Sequence, residues 1–397
     1  MRRIRSFFLV GTTLLAVTPI AFGAFAKGTK RSAHADRAPA SRAAAPATAA
    51  SAEAPPASGG DKRASAPKRI LQLATTAGSG CVLLARGEVR CWGNFRTGAG
   101  TATSALGTVG KPPPGPIVVP ELAGAERIGV GFQLVCAEAR GSMKCMGDNQ
   151  GGRLGIGTID PSEAPREIHQ FRGVSRFDAA SLHTCAVTTA GSIWCWGYNA
   201  AGEVGDGSTR SQSRPVRVAV PGHAIDVAVG DEFSCAVVRG GDVYCWGLGD
   251  AGQLGASPAN KETCAIPEDG DLPCARRPIK LAGLPKATAV TAGERHACAL
   301  LEGGGVRCWG DNSSWQLGGE RKQALVDPGV VGAKLVRAGS SHTCAVLTDG
   351  RVSCWGWNKD GQLGDGSRVT RKEPTLVPNL DDVVEVSPSY LSTCART

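Results

Sequence analysis

The sequence predicts an all-β protein, a β-propeller of about seven blades with four short antiparallel strands in each blade. Six complete repeats and a partial seventh supply these blades. Three observations predict this fold: a repeat with a period of about 50 residues, strand pairs joined by glycine turns within each repeat, and 54 glycines among 397 residues. A repeat of this length is a supersecondary unit that buries its apolar face only against neighbouring copies. Aromatic residues make up only 5% of the chain, which together with the glycines disfavours a helical bundle.

Residues 1–26 have the three parts of a secretory signal peptide. Arginines stand at positions 2, 3 and 5, an apolar stretch runs from Phe7 to about Phe22, and Ala24-Phe25-Ala26 supplies a small-x-small cleavage site. A membrane anchor is the alternative, and the shortness of the apolar stretch disfavours it. No other apolar segment reaches the ~18–20 residues that a bilayer requires, so the mature chain is expected to have no transmembrane span.

Residues 27–68 predict a disordered linker rich in Ala, Pro and Ser. They contain no Ile, Leu, Val, Met, Phe, Trp or Tyr, so they have nothing large to bury in return for their ordering entropy. Residues 1–68 hold eleven Lys or Arg and three Asp or Glu, so they carry +8 of the net charge of +9. The propeller, predicted over 69–397, is therefore nearly neutral. It has no basic stripe of the kind that binds nucleic acid.

Each repeat is predicted to form four strands. An alternating stretch such as Ala287–Val290 leads into a Cys-Ala-Val strand, and a glycine turn such as Ala190-Gly191 follows. The chain returns through Val-x-Cys-Trp-Gly, and a last strand follows a proline, as in Pro215–Val218. Four strands joined by tight turns are typical of a propeller blade.

The cysteines predict cross-strand disulfides. The two in each repeat lie 10 residues apart, or 9 in one repeat, and Cys185 and Cys195 are symmetric about Ala190. Residues equidistant from a hairpin turn face each other, and an exported chain oxidises such pairs. Zinc is the alternative, but its cysteine ligands are typically spaced two to four residues apart. The predicted disulfide cysteines are Cys81, Cys91, Cys136, Cys145, Cys185, Cys195, Cys235, Cys245, Cys264, Cys274, Cys298, Cys308, Cys344 and Cys354.

The last repeat is incomplete. There are seven first-cysteine strands and six second-cysteine strands, so Cys394 has no local partner. Ile70–Leu73 and Val383–Val386 begin the same half of the repeat, whereas ring closure within one blade needs complementary halves. Two interpretations stay open: six blades with an extra half, or a longer native chain.

Two sets of repeated side chains are interpreted as architectural. A tryptophan follows the second cysteine in five repeats and predicts packing between blades, with stacking on sugars or bases as the alternative. Histidines two residues before a first cysteine superficially resemble a nucleophile and its base, but a cysteine in a disulfide is no nucleophile. These residues are Trp92, Trp196, Trp246, Trp309 and Trp355, with Met146 in the second repeat, and His183, His296 and His342.

No enzyme motif is found. The sequence has no Gly-Lys-Ser/Thr phosphate loop, no His-Glu-x-x-His and no Gly-x-Ser-x-Gly. The Asp-Gly-Ser strings at 206–208 and 365–367 lack the further acidic ligands of a calcium loop. We therefore predict no enzyme and no catalytic, cofactor-binding or metal-binding residue.

Two long repeat intervals predict a binding face, with neutral loop growth as the alternative. The 63-residue interval contains 257–278, where Cys264 and Cys274 should staple a surface loop, and the 55-residue interval contains 101–116. Both insertions follow the glycine-rich turn after the second-cysteine strand, so both should emerge at one face of the ring, which often marks the binding side of a repeat array. The candidate binding residues of the first insertion are Lys261, Glu262, Glu268, Asp269, Asp271, Arg276 and Arg277.

The string H-T-C-A-V…G-x-V-x-C-W-G-x-N…G-Q-L-G-D-G, repeated from about residue 70 to the end, resembles the regulator of chromosome condensation repeat family. The resemblance implies a seven-bladed propeller. The eukaryotic founder of that family is a nuclear exchange factor for a small GTPase that binds chromatin, and exported bacterial relatives include an inhibitor of β-lactamases. The paired cysteines and the leader resemble the exported bacterial type. Since fold alone does not determine function, no functional residue is carried over.

These observations predict an exported, non-enzymatic and monomeric scaffold that binds a protein partner, located in the medium, the periplasm or the cell envelope. One alternative is a regulator of a partner enzyme, either inhibitor-like or resembling a guanine-nucleotide exchange factor. Another is a module that binds glycans or cell surfaces. No cofactor is predicted.

Overall fold

A computed structural model describes residues 7–10, by backbone alone, and 69–93, 115–255, 262–320 and 324–397. The predicted linker 27–68, all but 7–10 of the predicted signal peptide and all but the last two residues of the insertion 101–116 lie outside the described residues. Within the described part, no helix has the length and apolar character needed to cross a bilayer. The helices are short 3-10 turns at Ala85–Gly87, Pro120–Leu122 and Gln150–Gly152.

The described strands form six blades, a closing hairpin and one added strand. The added strand is β1 (Phe7–Val10). Blade 1 contains β2 (Ile70–Thr76), β3 (Ser79–Leu84), β4 (Val89–Trp92) and β5 (Ile117–Val118). Blade 2 contains β6 (Arg127–Gly131), β7 (Leu134–Ala139), β8 (Ser142–Gly147) and β9 (Ser162–Ile168). Blade 3 contains β10 (Val174–Ala179), β11 (His183–Thr188), β12 (Ile193–Gly197) and β13 (Gln212–Val218).

The second half of the ring is less regular. Blade 4 contains β14 (Ala224–Val229), β15 (Phe233–Val238), β16 (Val243–Leu248), β17 (Thr263–Ile266) and β18 (Gly270–Lys280). Blade 5 contains β19 (Ala287–Ala292), β20 (His296–Leu301) and β21 (Val306–Gly310). Blade 6 contains β22 (Ala333–Ala338), β23 (His342–Leu347), β24 (Val352–Gly356) and β25 (Arg371–Leu376). The closing hairpin consists of β26 (Glu385–Pro388) and β27 (Thr393–Arg396).

The all-β propeller with four-stranded antiparallel blades is confirmed, and the predicted strands at Ala287–Val290 and Pro215–Val218 lie within β19 and β13. The first strands of successive blades contact one another in a closed circuit, so they line the centre of the ring. Polar side chains reinforce this circuit. Asp178 in blade 3 accepts a hydrogen bond from Val229 N at 2.9 Å, and Asp226 in blade 4 accepts one from Val290 N at 3.1 Å.

The prediction of about seven blades is not confirmed, because the described chain forms six. The closing hairpin lies between blade 6 and blade 1, where Glu385 Oε2 accepts a hydrogen bond from Leu73 N and Ser387 Oγ one from Thr75 N, each at 3.0 Å. The hairpin repeats the first two strands of a blade and supplies no third or fourth strand. Where the third strand of a blade would lie, β1 pairs with β27 in a parallel arrangement.

Apolar cores lie between neighbouring blades. One such core joins Phe233 and Cys235 of blade 4 to Val290 and Trp309 of blade 5. A single blade therefore has little apolar interior of its own, as expected for a repeat that depends on its neighbours.

The seven predicted disulfides are confirmed. Cys185 and Cys195 are direct register partners in their hairpin, and so are Cys344 and Cys354. The insertion pair joins β17 to β18. The seven pairs are Cys81–Cys91, Cys136–Cys145, Cys185–Cys195, Cys235–Cys245, Cys264–Cys274, Cys298–Cys308 and Cys344–Cys354. Among the described cysteines, Cys394 alone is free, and it is buried.

Candidate functional site

Two sets of loops form one face of the ring, which we call the loop face. In each of blades 2–6, a backbone hydrogen bond ties the loop after the third strand to the loop before the second strand. Tyr198 N donates to Leu182 O at 3.1 Å, and Trp357 N donates to Ser341 O at 2.9 Å. The other three bonds are Asp148 N to Gln133 O, Leu248 N to Glu232 O and Asp311 N to Arg295 O.

Backbone hydrogen bonds also connect the loop face from blade to blade. Asp231 N donates to Glu294 O, Glu294 N to Ser340 O, and Ser340 N to Ser389 O, each at 3.2 Å. These bonds run from blade 4 through blades 5 and 6 to the closing hairpin. From blade 4 to the closing hairpin, the loops therefore form a continuous platform whose backbone is fixed at each of these three boundaries.

The repeated tryptophans pack between blades, as the sequence predicted. Trp196, Trp246, Trp309 and Trp355 are fully buried, and Met146 is buried at the same repeat position. Each of the four indoles donates a hydrogen bond to a loop carbonyl of the preceding blade, at 2.8–2.9 Å; the acceptors are Arg153 O, Glu203 O, Gln253 O and Gln316 O. Trp92 is half-buried in blade 1. The four buried indoles have no ring face to offer a sugar or a base.

The three repeated histidines are also architectural. Each is fully buried and shares a hydrogen bond between its Nε2 and a hydroxyl of the next blade or of the closing hairpin. The distances are 2.6 Å for His183–Ser234, 2.9 Å for His296–Thr343 and 2.8 Å for His342–Thr393. Burial lowers the pKa of His183 and of His342 to about 3 and that of His296 to about 4. All three rings are therefore neutral at physiological pH.

One part of the loop face exposes large apolar side chains, and we call it the aromatic sector. Phe132 is 43% exposed in blade 2, and Trp357 is 37% exposed in blade 6. The loop of the closing hairpin, which lies between blade 6 and blade 1, exposes Tyr390 by 53% and Leu391 by 37%. Backbone hydrogen bonds connect Trp357 to Ser341, and Ser340 to Ser389 of this loop. Trp357 and Tyr390 therefore lie on adjacent parts of the platform.

Blades 4 and 5 carry an acidic sector on the same face. Its members come from the loops of these blades and from the tip of the β17–β18 hairpin: Asp231, Glu232, Asp250, Glu268, Asp269 and Glu294. Burial, followed by the nearby charge of Glu294, raises the pKa of Asp231 to about 6. Burial raises the pKa of Glu232 as well; the positive charge of Arg295 opposes this shift, and the charges of Asp250 and Asp269 add to it. Six acids thus share this part of the face with Arg295, which forms an ion pair with Asp250.

The structure divides the predicted binding loop into a tip and an anchor. Glu268, Asp269 and Asp271 are exposed at or beside the tip of the β17–β18 hairpin. The charges of Glu268 and of Asp269 act on Tyr198 and on Glu232, respectively, so the tip lies near the loop face. That both insertions emerge at one face stays a prediction, because nearly all of 101–116 lies outside the described residues. Lys261 lies outside the described residues.

The remaining residues of the predicted binding loop hold the hairpin on blade 3. Arg276 forms an ion pair with Glu262 and packs on Gly202. The Arg277 guanidinium packs on the turn at Gly207. Cys264 Sγ lies 3.5 Å from Ala201 O. These side chains are thus used within the molecule, whereas the three acids are presented to solvent.

Sequence reasoning missed the aromatic sector. Phe132, Trp357 and Tyr390 occupy loop positions with no repeat pattern, so periodicity does not single them out. The signal available was Trp357, a large aromatic residue at a variable position of the repeat, two residues after Trp355. Within the described residues, no three His, Cys, Asp or Glu side chains are grouped as metal ligands would be.

The RCC1-like domain family model matches residues 95–397. The chain belongs to this family. Human WBSCR16 is similar in structure, with a TM-score of 0.68 and 20% identity over 81% of this chain and 85% of that chain. Prp20p from Saccharomyces cerevisiae has a TM-score of 0.50 and 22% identity over 81% of this chain and 67% of that chain. Yeast RCC1 (Prp20) in complex with Kap60 has a TM-score of 0.51 and 22% identity over 81% of this chain and 64% of that chain. At 20–22% identity, these comparisons show similarity of the fold alone. Comparison with curated proteins gives no match.

Proposed function

We propose that this RCC1-like propeller is an exported, non-enzymatic scaffold that binds a protein partner through its loop face. The observation that carries the proposal is the placement of the aromatic sector beside the acidic sector on one hydrogen-bonded platform. The partner is expected to present apolar groups to the first sector and basic groups to the second.

The residue types of the aromatic sector favour a protein partner. Tryptophan and tyrosine are enriched among the few interface residues that carry most of the binding free energy. Exposed apolar groups with polar surroundings typically mark protein contact sites. Trp357 and Tyr390 are therefore expected to be the main anchors, while the acidic sector guides a basic surface into register.

Protein binding has precedent on this fold. Prp20p is described with its binding to Gsp1p and histones, and yeast RCC1 (Prp20) was solved bound to Kap60. Gsp1p, histones and Kap60 are partners of the yeast protein. For this chain they support only the broader proposal that the ring serves as a protein-binding surface.

Export is supported by the predicted leader and by seven disulfides, which persist in oxidising compartments. We accordingly place the protein in the medium, the periplasm or the cell envelope. The burial of the repeated tryptophans weighs against a glycan-binding module that uses them. An inhibitor-like or exchange-factor-like regulator remains a special case of protein binding, to be tested once the partner is known.

The test is affinity capture by the immobilised oxidised protein from envelope and secreted fractions of the source cell. The paired variants are Trp357→Ala with Tyr390→Ala, and Val331→Ala as a control. Val331 is 83% exposed, and it precedes β22 at the end of the blades opposite the loop face. We expect one protein to be retained by the wild type and by Val331→Ala, with retention at least about tenfold weaker in the double variant.

Equal retention by the double variant and the wild type would refute binding through the aromatic sector. Retention of carbohydrate in place of protein would support the glycan-binding alternative. A reduced and alkylated sample should retain nothing, because the blades lose their disulfides.

A further inference from the structure

The closing hairpin is half a blade, and its strand β27 has no antiparallel third-strand neighbour among the described residues. We call this side of the strand the β27 edge. Val384 N donates a hydrogen bond to Arg396 O at 2.9 Å, so Arg396 and Cys394 direct their backbone groups toward β26. Because these groups alternate along a strand, Thr393 and Ala395 direct their N–H and C=O groups toward the β27 edge.

Cys394 marks the position that a third strand would face. In each of the six blades, the first cysteine faces the second cysteine of the third strand, with the two Cα atoms 4.0–4.1 Å apart. Cys394 occupies the first-cysteine position of β27, and it is free and only 6% exposed. A third strand in the register of the other blades would therefore place one residue directly opposite Cys394.

The wall that blade 1 presents to this place is incomplete. In the core between blades 5 and 6, Cys298 and Cys308 pack with Trp355. The equivalent core between the closing hairpin and blade 1 has Cys394 beside Trp92, with no residue from a third strand. Trp92 is half-buried, and its Nε1 has no hydrogen-bond partner among the described residues, whereas the four buried indoles each donate to the preceding blade.

The wall that blade 6 presents is also uncovered. Gly157 of blade 2 is covered by the Arg214 guanidinium of blade 3, and Gly207 of blade 3 by the Arg277 guanidinium of blade 4. Gly366 is the equivalent residue of blade 6. A Cβ placed on it would meet no described residue within 4 Å. The place of the missing strands is thus bounded by two walls that other blades cover.

The strand β1 shows what kind of segment this edge accepts. Its four residues, Phe7–Val10, are all apolar and pair with β27 along its whole length, from Thr393 to Arg396. They belong to the predicted signal peptide, so export with cleavage after Ala26 removes them. The linker 27–68 that remains has no large apolar residue to replace them.

We propose that the β27 edge of the exported protein binds an extended apolar segment of the protein partner as an antiparallel third strand. The backbone groups of Thr393 and Ala395 hold the segment, and its inward side chains pack against Cys394 and Trp92. Addition of a strand to an open sheet edge is a common mode of peptide recognition. The proposal rests on the proposed function, both for the partner and for the removal of β1.

The β27 edge adjoins the aromatic sector. Tyr390 and Leu391 lie in the loop that connects β26 to β27, so a partner bound at this sector can extend a strand along the edge. One partner can therefore use the exposed side chains and the open backbone together.

The probe is a synthetic octapeptide with the sequence of residues 351–358, RVSCWGWN, which contains the third strand of blade 6. Its cysteine is activated as a mixed disulfide with thionitrobenzoate. Cys354 faces Cys344 in blade 6, so the bound peptide places this sulfur opposite Cys394. The Cys394 thiolate attacks it and forms the protein–peptide S–S bond. The peptide–thionitrobenzoate bond breaks, thionitrobenzoate leaves as the thiolate, and the thiol proton of Cys394 passes to water.

Two control peptides test register and backbone pairing. Exchange of Ser353 and Cys354 keeps the composition and moves the sulfur to the other face of the strand. Ser353→Pro keeps the cysteine and removes the N–H of the residue before it. That N–H faces the second strand, because the N–H of the second cysteine faces outward in blade 5, where Cys308 N donates to Val326 O.

The rate of adduct formation with the oxidised, exported protein is followed by mass spectrometry. Burial raises the pKa of the Cys394 thiol to about 12, so unbound reagents should react slowly. At about 0.1 mM, the probe should react at least about tenfold faster than either control peptide, because binding raises its effective concentration to the millimolar range. Cys394→Ser should give no adduct, since the other fourteen cysteines form disulfides.

Three results would each overturn the proposal. The first is retention of Phe7–Val10 in the exported protein, which would leave the edge closed by the chain itself. The second is the absence of an adduct with the probe. The third is an equal rate for the probe and either control peptide.

The two proposals fail separately. If the probe forms no adduct but a partner is captured through Trp357 and Tyr390, only the strand site is refuted. If the adduct forms and no protein is captured, the β27 edge stands as an acceptor of extended segments, and the protein-binding role of the loop face is what falls.

Discussion

His342 Nε2 lies 2.8 Å from Thr393 Oγ1, and this hydrogen bond joins blade 6 to the closing hairpin. Both residues are fully buried. The same type of bond links His183 to Ser234 and His296 to Thr343 between neighbouring blades. The closing hairpin is therefore attached to blade 6 in the same way as one blade is attached to the next, although it has only half the strands of a blade.

Thr393→Val should loosen the closing hairpin. The change leaves a buried histidine nitrogen without its partner, which costs about 1–3 kcal/mol. Cys394 reports on the outcome, because it is buried beside Thr393 and burial raises the pKa of its thiol to about 12. We expect the rate of thiol alkylation under native conditions to increase severalfold in Thr393→Val.

Ser234→Ala is the matched control for that experiment. It removes the equivalent hydroxyl at the boundary of blades 3 and 4, far around the ring from the hairpin. It should lower the global stability without raising the alkylation rate of Cys394. An unchanged alkylation rate in Thr393→Val would show that other contacts hold the hairpin.

His342 should make the protein less stable in acid. Its pKa is lowered from 6.5 to about 3 in the folded state, so below pH 6.5 the unfolded chain binds more protons at this position. The stabilising contribution is complete above pH 6.5 and declines toward pH 3, by about 1.4 kcal/mol for each pH unit well below 6.5.

The measurement is the difference in unfolding free energy between the wild type and His342→Gln, from denaturant titrations at several pH values. Glutamine keeps a donor in place of the ring nitrogen and does not titrate. The advantage of the wild type over the variant should shrink as the pH falls from 6.5 to 4. A difference independent of pH would show that His342 is not held neutral.

The insertion hairpin should depend on its own disulfide. Replacing Cys264 and Cys274 by Ser removes a covalent link that lies outside the six blade disulfides. Proteolysis near Asp269 and Asp271 should therefore accelerate, while the blades stay resistant. By contrast, replacing Cys185 and Cys195 by Ser should destabilise the whole ring, by about 2–3 kcal/mol in the chain-entropy picture. Equal protection of the hairpin with and without its disulfide would show that packing on blade 3 is sufficient.

Local rules explain why the disulfides and the blade strands were predictable. Cys185 and Cys195 are equidistant from a glycine turn, so their pairing follows from the hairpin alone. The number of blades was not predictable in this way, because it depends on whether β26 and β27 can close against blade 1 without a third antiparallel strand. The aromatic sector escaped prediction for a related reason. Trp357 and Tyr390 belong to different loops, and the packing of the closing hairpin on blade 6 brings these loops to one platform.

Trp315 combines one feature that the sequence predicts with one that it does not. The sequence places a tryptophan where the aligned repeats have glycine. Its conformation follows from that alignment, since the turn requires a positive φ. The open cavity that it lines with Asp311 and Glu320 does not, because the cavity depends on the edge of blade 5, which has no fourth strand within the described residues.

Glu203→Gln should stabilise the protein at alkaline pH. Glu203 occupies the repeat position where blades 4, 5 and 6 have Gln253, Gln316 and Gln362, and it is fully buried. Its Oε2 accepts a hydrogen bond from Ala201 N at 2.8 Å, whereas its Oε1 has no hydrogen-bond partner among the described residues. Burial raises the pKa of this carboxyl from 4.5 to about 8. Since the folded pKa exceeds the unfolded one, its contribution to stability is complete below pH 4.5 and is lost as the pH rises toward 8.

Thermal unfolding of the wild type, Glu203→Gln and Gln253→Glu at pH 5 and pH 8.5 tests this account. The wild type should lose about 1.4 kcal/mol for each pH unit between its two pKa values, and Glu203→Gln should lack that loss. Gln253→Glu places a second carboxyl at the equivalent position of blade 4 and should steepen the pH dependence. If Glu203→Gln follows the same pH profile as the wild type, the carboxyl is ionised in the folded protein, and water or a local opening must then reach the boundary between blades 3 and 4.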